Sequence, residues 1–182
     1  FIAPKFERSN MTAYMQALRE INAQSSHTLY LMPILESPAI IHQESRLAEL
    51  LAVKAALDDA GDLILNVRVG GNDFCNLFGL RRGIDQEIYQ IGVIADVLVD
   101  ILNIFGRDYV VSGPVWEYFG TEEDAAWQQG LERELKNDLL NGFIGKTAVH
   151  PTQLGPIQRS LIVTEADYLD AQQILNWQDS AL

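Results

Sequence analysis

The two acids with the clearest chemical context in this sequence are Glu36 and Asp73. Glu36 directly follows the apolar segment 29–35, and Asp73 comes shortly after the apolar segment 63–69. In parallel α/β folds, ligand-binding groups cluster where strands end and helices begin. Mg²⁺ prefers hard oxygen ligands, often one or two carboxylates. The pair therefore predicts a Mg²⁺ site, with Mn²⁺ as a substitute ion; the alternative is that each acid complements the dipole of the helix that follows it.

Five further residues at the predicted strand ends could contact a substrate, namely Lys5, Gly70, Gly71, Asn72 and His150. The two glycines would let the backbone approach a ligand closely, or would form an ordinary turn. Lys5 could be a cation of the site or the salt-bridge partner of a nearby acid. His150 precedes a proline and could contact the substrate or order its own loop.

Cofactor binding and proton transfer need other groups. Arg81 and Arg82 could hold a carboxylate or the phosphate of a cofactor, or could lie at a solvated helix end. Glu7 and Glu117 are the candidates for the acid or base that moves a proton. Cys75, close to Asp73, is interpreted as a small packed residue.

Several kinds of active site find no support in the sequence. There is no cluster of cysteines and histidines for zinc and no G-x-S-x-G nucleophile motif. No G-x-G-x-x-G follows the first apolar segment, so a dinucleotide fold has no motif support. The single cysteine excludes an intrachain disulfide and favours a reducing compartment, so we expect a cytoplasmic protein.

The charge of the chain restricts its partners. It carries 25 acidic residues against 13 Lys and Arg, a formal net charge of −12, and no basic stripe. Such a chain is poorly suited to the phosphate backbone of nucleic acids. No apolar run approaches the ~18 residues of a membrane span. We therefore expect a small-molecule partner, and neither nucleic acid nor membrane.

Short apolar runs alternate with longer segments of helical period, which argues for a parallel sheet covered by helices. Periodicity alone does not distinguish a doubly wound sheet from part of a barrel. The predicted strands cover residues 1–5, 29–35, 63–69, 109–112 and 142–149.

The predicted helices carry recognisable ends. Ser9 or Asn10 could cap the first helix, and Gly61 is expected to end a long helical segment, 38–60, that could be broken in two. The clearest periodicity lies in 88–105, which Gly106 ends. Residues 121–124 and 164–167 each resemble a capping box that opens a helix.

The length of 182 residues suits a single domain, 1–182. The sequence begins at Phe1 in an apolar, strand-like run. We therefore expect that further residues precede Phe1 in the gene product.

Four motifs, in order along the chain, resemble those of the citrate lyase β-subunit and malyl-CoA lyase superfamily. The first resembles the LPK-x-E strand, the second the strand that ends in I-E-T/S, the third the G-x-x-D-L/F turn, and the fourth the closing G-K-x-x-I-H-P-x-Q. They are FIAPKFE at 1–7, LMPILES at 31–37, GGNDF at 70–74 and GKTAVHPTQ at 145–153. The fuller forms at 68–82 and 114–118 resemble a branch of citrate-lyase-like barrel lyases described beside bacterial stress-response and tellurite-resistance gene clusters.

The resemblance implies a (β/α)₈ TIM barrel, an α/β fold of which this chain would cover about strands four to eight and the C-terminal helices. It implies that Glu36 and Asp73 are the two Mg²⁺ carboxylates. It also implies a lyase or aldolase that cleaves a 2-keto or 3-hydroxy acid, or its CoA thioester, by metal-stabilised enolate chemistry. The expected partners are a small carboxylic acid or acyl-CoA substrate and further copies of the chain, as a trimer or hexamer.

A second hypothesis is a non-catalytic barrel that acts as a ligand sensor or scaffold in a stress or biosynthetic cluster. Loss of family site residues in the rest of the barrel would favour this hypothesis over the lyase.

Overall fold

Four parallel strands form one sheet in the part of the chain that the structure, a computed structural model, describes: residues 1–121 and 125–177. The order of the strands in space is their order in the sequence. This order is that of a sector of a barrel, whereas a doubly wound sheet reverses its strand order at a switch point. The strands are β1 (Ile2–Ala3), β2 (Met32–Leu35), β3 (Val67–Val69) and β4 (Val111–Ser112).

Helices follow the strands and cover one face of the sheet. None of the helices within the described residues is long and apolar enough to cross a membrane. Short 3₁₀ turns lie at Gly61–Leu63, Ile88–Gln90 and Pro151–Gln153. The helices are α1 (Met11–Gln24), α2 (Pro38–Ile41), α3 (Gln43–Ala60), α4 (Gly71–Leu77), α5 (Gly92–Phe105), α6 (Ala125–Asn141), α7 (Leu154–Ser160) and α8 (Glu165–Leu175).

The prediction of a fifth strand at 142–149 is wrong, although this segment does lie beside β4. Only a single parallel bridge joins Gly113 to Lys146. The backbone still runs along β4, since Ile144 N donates to Val111 O at 2.8 Å. Gly142 and Gly145 have φ of 99° and 74°, in the left-handed region, and this interrupts the extended conformation that a ladder requires.

The main core lies between the sheet and the helices. Alternate strand residues face it, including Leu35 on β2 and Val67 and Val69 on β3, all of which are buried. Helix α5 supplies the largest apolar stripe, made of Ile94, Val97, Leu98, Ile101 and Phe105. The opposite face of the strands therefore points to the inside of the barrel sector, where the candidate site residues would lie.

The long helical segment is broken at His42, whose backbone is extended. The buried Arg46 stabilises this break, because its Nε and Nη2 donate to the carbonyls of Ile40 and Ile41 at 3.1 and 2.9 Å. Its Nη1 pairs with Asp96 and Asp100 of α5. One guanidinium thus satisfies the last carbonyls of α2 and ties α3 to α5.

Other helix ends agree only in part with the sequence. Helix α5 starts at Gly92 and not at 88, since a 3₁₀ turn precedes it, and it ends before Gly106 as predicted. Asn10 occupies the cap position of α1 without a side-chain cap bond. Thr164 caps α8 by accepting from Asp167 N at 3.2 Å. The capping box predicted at 121–124 falls on 122–124, outside the described residues.

A buried charge network ties the ends of β4 and α4 to α6. Arg82 Nε donates to Glu117 at 2.9 Å, and its Nη1 pairs with Glu134. Lys146 Nζ pairs with the other oxygen of Glu134 at 2.8 Å and with Asp138 at 2.9 Å. Burial alone would raise the pKa of Glu134, but Lys146 and Arg82 outweigh it and lower that pKa.

The closing motif of the chain is explained by this packing. Gln153 is fully buried, and its Nε2 donates to the carbonyls of Trp116 and Tyr118, both at 2.9 Å. Its Oε1 accepts from Val149 N at 2.8 Å. Lys146 and Gln153 therefore hold the last barrel segment against the loop after β4, which is an architectural role.

Replacing Glu134 by Ala should destabilise the protein by about 3–5 kcal/mol, because it leaves Arg82 and Lys146 buried without a shared partner. Glu132, on the same helix with a 45% exposed side chain, is the matched control. Its replacement by Ala should change stability by only about 0.5 kcal/mol. Urea unfolding of both variants measures the difference, and equal losses would contradict the role given to the network.

Candidate metal centre at the strand ends

Glu36 and Asp73 lie at neighbouring strand ends. Glu36 directly follows β2, and Asp73 is in the first turn of α4, which follows β3. The β2–β3 register pairs Leu35 with Val69, so that Glu36 stands beside Gly70. The structure thus brings together the two carboxylates that the sequence proposed as metal ligands.

Lys5 links the two carboxylates. Its backbone N donates to Glu36 Oε1 at 2.9 Å, and its Nζ forms an ion pair with Asp73 Oδ1 at 3.0 Å. The backbone of Lys5 has a φ of 49°, unusual for a residue with a side chain. The amide of Asn10 supports this turn, since its Nδ2 donates to Lys5 O at 2.7 Å and its Oδ1 accepts from Glu7 N. This use of the Asn10 amide explains why it does not cap α1.

The two carboxylates differ in environment. Glu36 is only 9% exposed, whereas the side chain of Asp73 is 45% exposed. Burial raises the pKa of Glu36, and the negative charge of Asp73 raises it further, against the hydrogen bond from Lys5 N. Ionising both carboxylates is therefore unfavourable, because one is buried and the two repel each other. A bound cation would offset this repulsion.

Gly70 is required by the close approach of Glu36. A Cβ on Gly70 would collide with the side chain of Glu36, including Oε2. The group that lies against Gly70 in this structure is the Glu36 carboxylate, and the predicted approach of a ligand to this glycine stays a prediction. A Cβ on Gly71 would meet the side chains of Ile88 and Pro114, so this glycine is explained by packing.

Three of the other predicted residues surround a small cavity of about 160 Å³ beside α4, namely Asn72, Arg81 and Glu117. Arg81 is exposed and lies over the ring of Tyr118 at 5.8 Å. Arg82 also reaches this cavity, but its guanidinium is buried and paired with Glu117 and Glu134. This corrects both interpretations of Arg82, since it is neither a free anion-binding group nor at a solvated helix end.

The remaining candidates lie outside the carboxylate pair. His150 stacks on Phe119, with ring centroids 4.4 Å apart, and its Nδ1 lies 2.9 Å from Thr152 Oγ1. These contacts match the loop-ordering alternative for His150. Glu7 accepts from Ser9 Oγ at 2.5 Å, within the turn between β1 and α1. Neither side chain has a hydrogen bond or ion pair with Glu36 or Asp73 in the described residues.

One polar residue near the site, within the motif at 68–82, was not among the predicted site residues. Arg68, in the middle of β3, donates through Nε and Nη2 to Thr147 Oγ1 at 3.0 and 2.6 Å. Its signal in the sequence is a charged residue between two valines of a strand, which places it on the face opposite the core.

The family profile of C–C bond lyases of the TIM-barrel fold matches residues 1–182. This chain belongs to that family. The match confirms the resemblance to citrate-lyase-like enzymes and shows that the four-stranded sheet is part of a TIM-barrel lyase fold.

Solved structures give the same fold. RipC from Yersinia pestis superposes with a TM-score of 0.64 at 20% identity, over 92% of this chain and 65% of RipC. A citrate lyase from Burkholderia xenovorans LB400 gives 0.70 at 14%, over 96% and 52%. CitE from Mycobacterium tuberculosis, whose structure contains magnesium and acetate, gives 0.52 at 15%, over 96% and 63%.

The chain thus spans between about half and two thirds of the length of these relatives. No curated protein matches the sequence significantly.

The residues present fit a hard divalent cation held by two carboxylates. Glu36 and Asp73 supply oxygen ligands, and the hydroxyl of Ser37, next to Glu36, is buried without a hydrogen-bond partner among the described residues. No group of three or more His, Cys, Asp or Glu side chains suited to a metal occurs in 1–121 or 125–177. These residues therefore do not form a closed metal site made of protein side chains alone. Substrate oxygens and water would complete the coordination of the cation.

Glu36→Gln should raise the melting temperature measured without divalent cations. The neutral amide keeps an oxygen for Lys5 N–H and removes a buried charge that Asp73 repels. Because the pKa of Glu36 is raised on folding, its ionised form lowers stability at neutral pH, and this penalty disappears in the variant. Glu20→Gln, on the exposed face of α1, should leave the melting temperature unchanged. A lower melting temperature for Glu36→Gln would show that the pair is not under electrostatic strain.

Gly70→Ala should weaken Mg²⁺ binding, because the added Cβ must push the Glu36 carboxylate aside. We also expect a loss of about 1–3 kcal/mol of stability from the overlap. Gly92→Ala is the control, since a Cβ there meets nothing within 4 Å. Calorimetric Mg²⁺ titration and urea unfolding of both variants measure the two effects; identical behaviour of the two would contradict the close approach.

Proposed function

We propose that this protein is a Mg²⁺-dependent carbon–carbon bond lyase or aldolase. Its substrate would be a 2-keto or 3-hydroxy acid, or the CoA thioester of such an acid. The observation that carries the proposal is the pairing of Glu36 and Asp73 at adjacent strand ends in a chain of the C–C bond lyase family. The magnesium in the structure of CitE, a protein of the same fold, supports the choice of metal.

In this proposal β1 to β4 correspond to the fourth to seventh strands of a (β/α)₈ barrel. The segment 142–149, which runs beside β4, takes the place of the eighth. The inside of the barrel is then the face that carries Glu36 and Arg68, and the active site lies at the carboxyl ends of the strands, as in other TIM-barrel enzymes.

Glu36 and Asp73 would hold the metal. When bound, Mg²⁺ supplies Lewis-acid stabilisation of the negative charge that develops on a carbonyl oxygen as the C–C bond breaks. The hydrogen bond from Lys5 N fixes the orientation of the Glu36 carboxylate. The Lys5 ammonium, with a 66% exposed side chain, is free to turn from Asp73 towards a substrate carboxylate once Asp73 binds the cation.

Proton transfer falls to Glu7 or Glu117 in this proposal. Glu117 accepts from the buried guanidinium of Arg82 at 2.9 and 2.5 Å, so its carboxylate is already engaged in an ion pair. Glu7 is partly exposed, and among the described residues its side chain and its backbone N bond to Ser9 and Asn10 of its own turn. We therefore favour Glu7 as the proton acceptor.

For a thioester substrate, Arg81 is the arginine of the pair that could reach a CoA phosphate. It is exposed beside the cavity lined by Asn72, whereas Arg82 is engaged by two carboxylates. The substrate-binding residues of this proposal are therefore Lys5, Asn72 and Arg81.

Mg²⁺ binding to the full-length protein should depend on both acids. Glu36→Ala and Asp73→Ala should each weaken it by more than ~100-fold, since the loss of even an outer-shell partner typically costs about 10–100-fold. Asp62→Ala, which removes an exposed acid after α3, should bind Mg²⁺ like the unmodified protein. Isothermal titration measures all three, and unchanged binding in the first two variants would refute the site.

The reaction itself needs a separate assay. Release of a keto acid or aldehyde from malyl-CoA or citryl-CoA, with Mg²⁺ present, would support the lyase. Mg²⁺ and acid binding without any cleavage would instead favour the ligand sensor or scaffold.

A further inference from the structure

Arg68 lies on the face of the sheet that points into the barrel, at a level two residues before Glu36 along the strand direction. It is paired with Ile34 of β2, and Glu36 follows Ile34 by two residues, so that the two charged side chains leave the same face. The next residue of β3 on this face is Gly70, which has no side chain. The Glu36 carboxylate covers this glycine, so nothing from β3 stands between Arg68 and the carboxylate pair.

The guanidinium of Arg68 has one neutral acceptor in the described residues. Two of its nitrogens donate to the same hydroxyl oxygen, Thr147 Oγ1. No acid of the described chain forms an ion pair with it. Burial lowers the pKa of Arg68, and the charge of Glu36 opposes this shift, so the two groups are electrostatically coupled. An arginine nevertheless stays protonated at neutral pH.

Arg68 is partly buried, and the two fully buried arginines of the described chain behave differently. Arg46 pairs with Asp96 and Asp100 and donates to two backbone carbonyls. Arg82 pairs with Glu117 and Glu134. Both are saturated by acids and have structural roles. Arg68 keeps donor capacity, because a guanidinium carries five N–H groups in a planar fork.

The surroundings of Arg68 are polar as well. Asn66 Nδ2 donates to Ser112 Oγ at 2.5 Å, and Asn66 Oδ1 is buried without a hydrogen-bond partner in the described residues. Ser112 stands directly opposite Arg68 in the β3–β4 register. Barrel interiors are usually filled by branched apolar side chains. This interior instead presents hydroxyls, an amide and a cation just below the metal ligands.

We propose that Arg68, oriented by Thr147, binds a second carboxylate of the substrate and thereby selects dicarboxylic acids. A planar guanidinium with free donors recognises a carboxylate through two parallel hydrogen bonds. One end of the substrate then lies at Glu36 and Asp73, and the other end lies on Arg68. This inference rests on the proposed function, and it narrows the substrate to a keto or hydroxy diacid or a derivative that keeps both acid groups.

The test compares L-malate with 2-hydroxybutyrate, which keeps the hydroxy-acid end of malate and has a methyl group where malate has its second carboxylate. Binding to the full-length protein is measured by calorimetry at saturating Mg²⁺. Arg68→Gln should weaken malate binding by about 10–100-fold, the range for lost hydrogen bonds to a charged group, and change 2-hydroxybutyrate binding by less than about threefold. Arg19→Gln, which removes an exposed cation from α1, should alter neither affinity.

Two further variants keep the test decisive if Arg68→Gln does not fold. Arg68→Lys keeps the charge but loses the planar fork, and should reduce the preference for malate by about tenfold. Thr147→Val removes the acceptor that orients the guanidinium, and should lower the same preference by a smaller factor. An equal loss for both ligands, or no loss for malate, in folded Arg68 variants would overturn the proposal.

Titration of Mg²⁺ in the absence of any carboxylic acid ligand distinguishes a failure of this inference from a failure of the proposed metal site. The Arg68 variants should bind Mg²⁺ within about threefold of the unmodified protein, because Arg68 is not a ligand. If the unmodified protein fails to bind Mg²⁺, the metal site is refuted. A preference for malate that still depends on Arg68 would then leave the diacid site standing by itself.

Discussion

The position of the Glu36 carboxylate against Gly70 is the constraint on which the candidate site depends. Because β2 and β3 are neighbouring parallel strands, their ends lie side by side. Gly70 has no side chain, which leaves room for Glu36 to lie across β3. Lys5 N–H then fixes one oxygen from the other side. Any side chain at Gly70 would displace the Glu36 carboxylate from this position. The backbone at the ends of three successive strands therefore positions the Glu36 carboxylate beside Asp73 and Lys5.

A second set of buried charges keeps this arrangement rigid without taking part in it. Glu134 is shared by Arg82 and Lys146, so that one carboxylate of α6 connects the segment after α4 to the last barrel segment. Removing charges from water is costly unless every partner is satisfied. Here each of the two cations pairs with two acids, which distinguishes a structural network from a binding group. Arg68, on the same barrel sector, lacks such partners among the described residues.

The sequence predicted what depends on local pattern. The apolar runs located the four strands, and the rule for parallel strand ends correctly placed Glu36 beside Asp73. The strand at 142–149 was overpredicted, because its composition does not reveal that Gly142 and Gly145 take left-handed conformations. The burial of Arg82 was not predictable either, since its partner Glu134 lies 52 residues away. Arg68 could have been found, because a charged residue between two buried valines must face away from the core.

The charges of the site relate the binding of the metal to the binding of a dicarboxylic acid. Glu36 and Asp73 contribute two negative charges, and Lys5 and Arg68 contribute two positive ones, so the four side chains sum to zero. Mg²⁺ alone would leave an excess of two positive charges in a partly buried site, and uncompensated buried charge is costly. A monocarboxylate cancels one of them and a dicarboxylate cancels both. Neutrality therefore favours joint binding of the divalent cation and a dianion, with the cation at the strand ends and Arg68 beneath it.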